Sequence, residues 1–273
     1  MKGRISMTGF IGAGNMANAI VKGMVESGAV SPENIMVYDV NPPKIKKFCD
    51  DYNIKAAENA NEIAKKCSEV VIAVKPYDFP KLLTAIDSDL RENDPLIISI
   101  AAGNSIEYIE SLLSYEPALA RVMPNINATI GESMSAYCVN KRATSEQKEF
   151  TKMLCSAIGE ATELEEKFFS AFGVIAGSAP AFAYMFVDEL ARAGVKLGMN
   201  KKVALKIAAQ TVSGSARLVG SSEEHPYELV DRVCSPGGTT IEGVAKLNEN
   251  GFSNAIMQAV TATYNKDKKL SEK

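Results

Sequence analysis

The chain has 273 residues, with 30 lysines and arginines against 33 aspartates and glutamates, for a formal charge of −3. A composition of 46% apolar and 23% charged residues is that of an ordinary globular protein, which sets aside disordered, collagen-like and coiled-coil classes. A slightly acidic chain has no global field to gather nucleic acid or anionic lipid, so neither is expected as a partner.

The length allows one large domain or two modest ones. Five cysteines (Cys49, Cys67, Cys138, Cys155 and Cys234) are scattered, odd in number and without a C-x-x-C pair. With no secretory apolar segment at the N-terminus, they read as buried thiols in a reducing, cytoplasmic setting. The single His225 has no cysteine pair at ligand spacing, so no metal site is expected.

Through about residue 165, short β-rich runs alternate with amphipathic stretches. Ile5–Ile11 reads as a strand, and the helix after it sets Met16, Ile20 and Met24 on one face and stops at Gly28. Asn34–Asp39 is a second strand. Asn41 and Pro42 then cap and open a helix that buries Ile45 and Phe48. Asn59-x-x-Glu62 resembles a capping box ahead of the strand Glu69–Val74. Leu96–Ala101, Leu119–Met123 and Met134–Val139 are further apolar runs, with one helix capped at Ser105 and another opened by Thr144-x-x-Gln147. Strands alternating with helices predict a parallel sheet covered on both faces.

After Glu165 the strand pattern ends. Pro180–Leu197, Lys201–Val219, Pro226–Val233, Ile241–Asn248 and Phe252–Lys269 read as helices, and the lysine-rich 266–273 end as a solvated tail. Phe168–Val187 runs twenty residues without a charge, about a bilayer's thickness, but Pro180 and the flanking acids fit two buried helices better than a span. A subunit interface would bury such a stretch. The fold class is therefore α/β: a doubly wound sheet over residues 1–165, followed by an all-helical domain over 166–273.

The strongest local motif is Gly12-Ala13-Gly14-Asn15-Met16-Ala17, a G-x-G-x-x-A fingerprint between a strand and a helix. The first glycine permits the tight turn, the second lets backbone approach a pyrophosphate, and Ala17 allows close helix packing. The helix N-terminus offers free N–H groups to the phosphates. Asp39 ends the next strand, where a carboxylate accepts hydrogen bonds from ribose hydroxyls and repels a 2′-phosphate. Neither Val40 nor Asn41 supplies a guanidinium for that phosphate. The reading leans to NADH over NADPH, although Asp39 also suits a turn.

No Ser-His-Asp set or carboxylate cluster appears. His225 sits in a polar loop, as a solvated residue or a base. Ser235-Pro236-Gly237-Gly238-Thr239-Thr240 immediately precedes a helix, and glycines with hydroxyl residues there suit either an anion site or a plain turn and cap. A small substrate carboxylate is the natural ligand of the former.

Several segments together resemble the 1-pyrroline-5-carboxylate reductase family. They are Phe10–Met16, Ala73-Val74-Lys75-Pro76, Ser99–Gly103, Arg121-Val122-Met123-Pro124-Asn125, Gly177–Phe182 and Ser235–Thr240. The resemblance implies a Rossmann domain and a helical dimerisation and substrate-binding domain, with dimers often gathered into a decamer. It also implies reduction of a cyclic imine to L-proline by NAD(P)H. Carried onto this chain, Gly12, Ala13, Gly14, Asn15 and Met16 would hold the pyrophosphate, with Asp39, Asn41 and Asn59 on the adenosine side. Ala73, Val74, Lys75 and Pro76 would line the cofactor, and Ala101, Ala102 and Asn125 would flank the nicotinamide. Ser235, Gly238, Thr239 and Thr240 would cradle the substrate carboxylate, with Glu223 near its edge and the Thr240 hydroxyl at the imine nitrogen. Ala179 stands where many members have glycine.

A protonated imine is already an electrophile, so positioning opposite the cofactor suffices without a histidine. Two other readings are a β-hydroxyacid dehydrogenase and a cofactor-binding protein without turnover. The first needs a catalytic lysine on an apolar helix face, whereas Lys196, Lys201 and Lys202 lie at helix ends. The second is disfavoured by the intact Ser235–Thr240 segment.

Overall fold

The computed structural model describes residues 6–101 and 103–271. Two compact units divide the chain, one running to Gly177 and the other Ser178–Lys269. Residues 166–177 pack with the first unit, so the end of the strand pattern near residue 165 precedes the end of the packing unit.

The first unit is built on β1 (Thr8–Ile11), β2 (Ile35–Tyr38), β3 (Lys55–Ala56), β4 (Glu69–Ile72), β5 (Leu96–Ser99), β6 (Ala118–Met123), β7 (Ser133–Val139) and β8 (Gly159–Glu163). They form one sheet in the order β3-β2-β1-β4-β5-β6-β7-β8. The first six in sequence are parallel, with Ile11 opposite both Tyr38 and Ile72. The expectation of a wholly parallel sheet needs correction at the far edge. There β7 runs antiparallel to β6, and β8 follows β7 in parallel.

Six helices belong to this sheet: α1 (Asn15–Glu26), α2 (Pro42–Tyr52), α3 (Ala60–Lys66), α4 (Phe79–Asn93), α5 (Ile106–Ser111) and α6 (Ser145–Ser156). Ile20 and Met24 of α1, Phe48 of α2 and Leu154 of α6 pack on Phe10, Val37, Val71 and Ile98. Ile63 of α3, Leu83 and Leu90 of α4 and Ile109 of α5 pack on Ile11, Val70, Ile72 and Ile97. Successive strand residues thus enter opposite cores, which is why these strands read as continuous apolar runs.

Local chemistry sets the helix ends. Thr144 and Gln147 form a reciprocal capping box, and the Ser105 hydroxyl accepts the Tyr108 N–H. Asn59 caps α3 by accepting the Glu62 N–H, but the Glu62 carboxylate accepts from Glu58 N rather than closing the box on Asn59. Asn41 holds the N-cap position of α2 without a side-chain bond. Its own N–H is instead taken by Asp39 Oδ1 at 2.9 Å.

From Glu166 the chain is helical through Lys196. It passes through α7 (Phe169–Phe172) and a wider π-helical turn over Gly173–Ser178 into α8 (Ala179–Lys196). The expected break at Pro180 is therefore corrected to a local widening. Pro180 lies in the first turn of α8, where a missing N–H is tolerated and the wide turn absorbs the mismatch. By length and composition this helix could cross a membrane.

The second unit adds α9 (Lys201–Ser221), α10 (Pro226–Val233), α11 (Thr239–Glu249) and α12 (Phe252–Ser271). The last helix includes residues 266–271, expected above as a solvated tail. A small core of Ala191, Ala204 and Ala208 joins α8 to α9, with Asp188 accepting from both Arg192 and Lys201. Large apolar side chains remain exposed on these helices, among them Met185, Leu197, Ile207 and Met257.

Glu69 lies buried at the start of β4, its carboxylate accepting from the Ser6 and Thr8 hydroxyls. Burial outweighs these donors and raises its pKa. The folded state therefore holds this proton more tightly than the unfolded chain does. That contribution to stability is full below the ordinary carboxylate pKa and is lost as pH rises through the raised folded value. Glu69→Gln is expected to raise the thermal midpoint at pH 7 more than at pH 4.5, as read by a pH series of melting curves.

Candidate active site

The parallel strands end together along one edge of the sheet. Gly12 follows β1, Asp39 ends the stretch after β2, Ala73 follows β4, Ala101 lies beyond β5 and Asn125 beyond β6. The strand order turns back between β1 and β4, and ligands of open α/β sheets bind in the crevice at such a point.

The two fingerprint glycines do different work. Gly12 has φ +110°, and a Cβ there would come 2.6 Å from the Ala73 carbonyl oxygen, so the fold itself demands glycine. Gly14 has an ordinary φ of −85°, and a Cβ there would meet nothing within 4 Å, so the chain alone places no such demand. It is the N-cap of α1, and no side chain caps that helix among the described residues. The first-turn N–H groups beside Asn15 and Met16 are left for an anion, with Gly14 keeping the approach open. The residues present fit a dinucleotide.

Asp39 braces this loop. Its Oδ2 accepts the Ala13 N–H at 2.7 Å while Oδ1 accepts from Asn41. A cavity of about 370 Å³ opens beside it, lined by Gly12, Asp39, Asn59 and Val74. Asn61 and Lys81 also line this cavity, and the sequence reading does not single them out. A signal for Lys81 is the start of α4 at Phe79-Pro80, with a proline in the first helical turn.

Ala73 continues the ladder, its N–H donating to Ile11, and Lys75 precedes the short 3₁₀ turn Pro76–Asp78. Ala101 is buried, and Ala102 lies outside the described residues. Asn125 is buried with its polar groups committed to protein: Oδ1 accepts from Asn127 N and Nδ2 donates to the Ala176 carbonyl.

In the second unit, Ser235–Gly238 turns into the N-terminus of α11. Gly237 has φ +65°, and no side chain caps the helix among the described residues. The Gly238 N–H donates to the Ser235 carbonyl at 3.0 Å, so this amide is already used. Thr239 and Thr240 occupy the first turn, exposed, and Glu223 is exposed in the α9–α10 loop. His225 plays a structural part by capping α10. Its Nδ1 accepts the Tyr227 N–H, and its own backbone N–H donates to the Glu228 carboxylate. Burial pushes the thiols of Cys67, Cys138 and Cys155 up to about 12, which removes them as nucleophiles at neutral pH.

A Rossmann-type sheet with a fingerprint loop, followed by an appended helical unit, defines a nicotinamide-dinucleotide-dependent oxidoreductase. Residues 166–270 match the family model for pyrroline-5-carboxylate reductase dimerisation, and residues 7–103 match that for NADP oxidoreductase, coenzyme F420-dependent. The chain is 40% identical over 264 residues to the pyrroline-5-carboxylate reductase of Escherichia coli K12, covering 97% of this chain and 98% of that one. A Coxiella burnetii pyrroline-5-carboxylate reductase structure superposes with a TM-score of 0.93 at 28% identity, covering 97% and 98% of the two chains. The Plasmodium falciparum pyrroline carboxylate reductase, solved with NADP bound, gives a TM-score of 0.85 at 30% identity, covering 98% and 99%. The chain belongs to the pyrroline-5-carboxylate reductase family.

The contrast between the glycines is testable. Gly12→Ala is expected to destabilise the protein by about 1–3 kcal/mol, through strain at its positive φ and the Ala73 carbonyl. Gly14→Ala is expected to leave the melting midpoint near wild type and weaken dinucleotide binding by roughly tenfold in a fluorescence titration.

Proposed function

We propose that this protein reduces 1-pyrroline-5-carboxylate to L-proline with a reduced nicotinamide dinucleotide. The observation that carries the reading is the uncapped, glycine-led start of α1 beside the β1–β4 crevice. An N-terminus that the fold leaves open is suited to a pyrophosphate. When bound, the cofactor supplies the hydride.

The chain's own residues hold and orient. Gly12, Ala13, Gly14, Asn15 and Met16 form the phosphate loop, while Asp39 and Asn59 face the adenosine cavity. Ala73, Val74, Lys75, Pro76 and Ala101 follow parallel strands or their extensions. The Thr239 and Thr240 amides hold the substrate carboxylate at the α11 N-terminus, where the helix dipole favours an anion. Ser235 shapes that loop, its carbonyl securing Gly238. The Thr240 hydroxyl accepts a hydrogen bond from the protonated ring nitrogen; hydride addition to the ring carbon would leave a neutral secondary amine, which takes up its second proton from water. The imine arrives protonated, so no histidine base is required and His225 is free to cap α10.

A homodimer is part of this reading. Among the described residues the second unit has only an alanine-rich seam as core, and its exposed apolar side chains require a partner. The larger decamer rests on the family resemblance alone. The free cysteines suit a reducing, cytoplasmic setting.

The direct test is oxidation of NADH and NADPH, measured side by side, with 1-pyrroline-5-carboxylate as acceptor; no turnover with either would end the reading. Thr240→Ala is expected to lower kcat by about tens- to hundreds-fold while Thr240→Ser retains most activity. For the coenzyme, the negative charge of Asp39 favours an unphosphorylated ribose. Asp39→Asn, which keeps an oxygen for the Ala13 N–H, is expected to raise the NADPH-to-NADH ratio of kcat/KM by roughly tenfold. An unmoved ratio would remove Asp39 as the discriminator.

A further inference from the structure

The segment Arg121–Asn125 contains more order than a cofactor contact requires. Residues 121, 123 and 125 alternate along β6 and its extension, and alternate residues share one face of a strand. Each meets a successive turn of the helical stretch that begins at Glu166. Arg121 is only 8% exposed, and its guanidinium donates to Glu166 Oε1 at 2.8 Å and stacks over the Phe169 ring at 4.6 Å. Glu166 Oε1 also accepts the Ile106 N–H at the start of α5. Met123 Sδ lies against Gly173, 3.3 Å from where a Cβ would stand. Asn125 Nδ2 donates to the Ala176 carbonyl at 2.9 Å.

That last bond answers a defect written in the sequence. In an α-helix the Ala176 carbonyl would receive the N–H of the residue four places on, which is Pro180 and has none. The Ala176 carbonyl instead lies within the π-helical turn Gly173–Ser178, and a buried side-chain amide donates to it. The other polar groups of Asn125 are equally occupied. Oδ1 accepts from Asn127, its N–H donates to Ser133 Oγ, and its carbonyl accepts from Ala128.

We propose that Arg121, Met123 and Asn125 are positioning residues, a splint on β6 that sets the register of the wide turn from which the chain continues as α8. The inference rests on the proposed function, in which the second unit carries the substrate carboxylate and the first carries the dinucleotide. Loosening the splint then disturbs substrate handling and spares the cofactor.

Asn125→Asp keeps the acceptor for Asn127 but sets a carboxylate against the Ala176 carbonyl. It is expected to raise KM for 1-pyrroline-5-carboxylate by about tenfold or more, with a smaller change in kcat. Its dinucleotide affinity should stay within about twofold of wild type, and amide exchange should quicken across 173–178. Pro180→Ala restores the missing backbone donor, so the double variant Asn125→Asp/Pro180→Ala should recover slow exchange and most of the KM loss. Arg121→Met, which keeps a long apolar side chain over Phe169 but breaks the ion pair, should give the same KM-against-affinity split if Asn125→Asp does not fold. Weakened dinucleotide binding with an unchanged imine KM would overturn the proposal in favour of direct nicotinamide contact. Unchanged exchange at 173–178 would overturn it as well. A wild-type enzyme inactive on the imine would defeat the functional reading, and the exchange rescue by Pro180→Ala would still decide the splint.

Discussion

Everything at the dinucleotide end depends on how closely the chain passes the Ala73 carbonyl as it leaves β1. A side chain at position 12 would occupy the space of that oxygen, and the backbone there has a positive φ that L side chains rarely adopt. Glycine is therefore the condition for the turn that aims α1 at the crevice. Asp39 completes the arrangement by drawing the Ala13 and Asn41 amides to one carboxylate. A single acidic side chain thus ties the ends of β1 and β2 together, and its charge lies on the cavity that the adenosine ribose would enter.

The second unit obeys a different constraint. Its helices carry too little small-residue core to bury their own apolar faces, so their amino-acid pattern makes sense as half of an interface. The helical stretch that leads into it is secured within the first unit by an ion pair, a ring stack and a buried amide. Glu166 couples three elements through one oxygen, since α5, β6 and the helical stretch from residue 166 all meet there. A carboxylate that is only partly exposed and shared by a guanidinium and an amide holds that junction more firmly than a surface pair would.

The central strands were legible because both faces of each are buried, leaving unbroken apolar runs such as Leu96–Ser99. The edge strands were not. Lys55–Ala56 is exposed and two residues long, and Gly159–Glu163 is polar with half-buried residues, so neither carries a hydrophobic pattern. The direction of β7 was equally hidden, since an apolar run does not state which way it pairs. Among the site residues, the fingerprint was readable because its glycines and its helix start are adjacent in sequence. The commitments of Asn125 and His225 were not readable from residue type. An asparagine near a strand end and a histidine in a polar loop look like free chemical groups until their partners are seen.

By itself, then, the amino-acid order determined the alternation of elements, the dinucleotide loop, the helical second half and the family. These follow from local spacing and from residue types that only a few backbone conformations accept. Tertiary structure alone decided the antiparallel edge, the sharing of Asp39 between two amides and the pairing of Asn125 with Ala176. That pairing joins residues 51 positions apart. The spacing of residues along a chain does not encode which distant carbonyl a side-chain amide will meet; packing brings the two together.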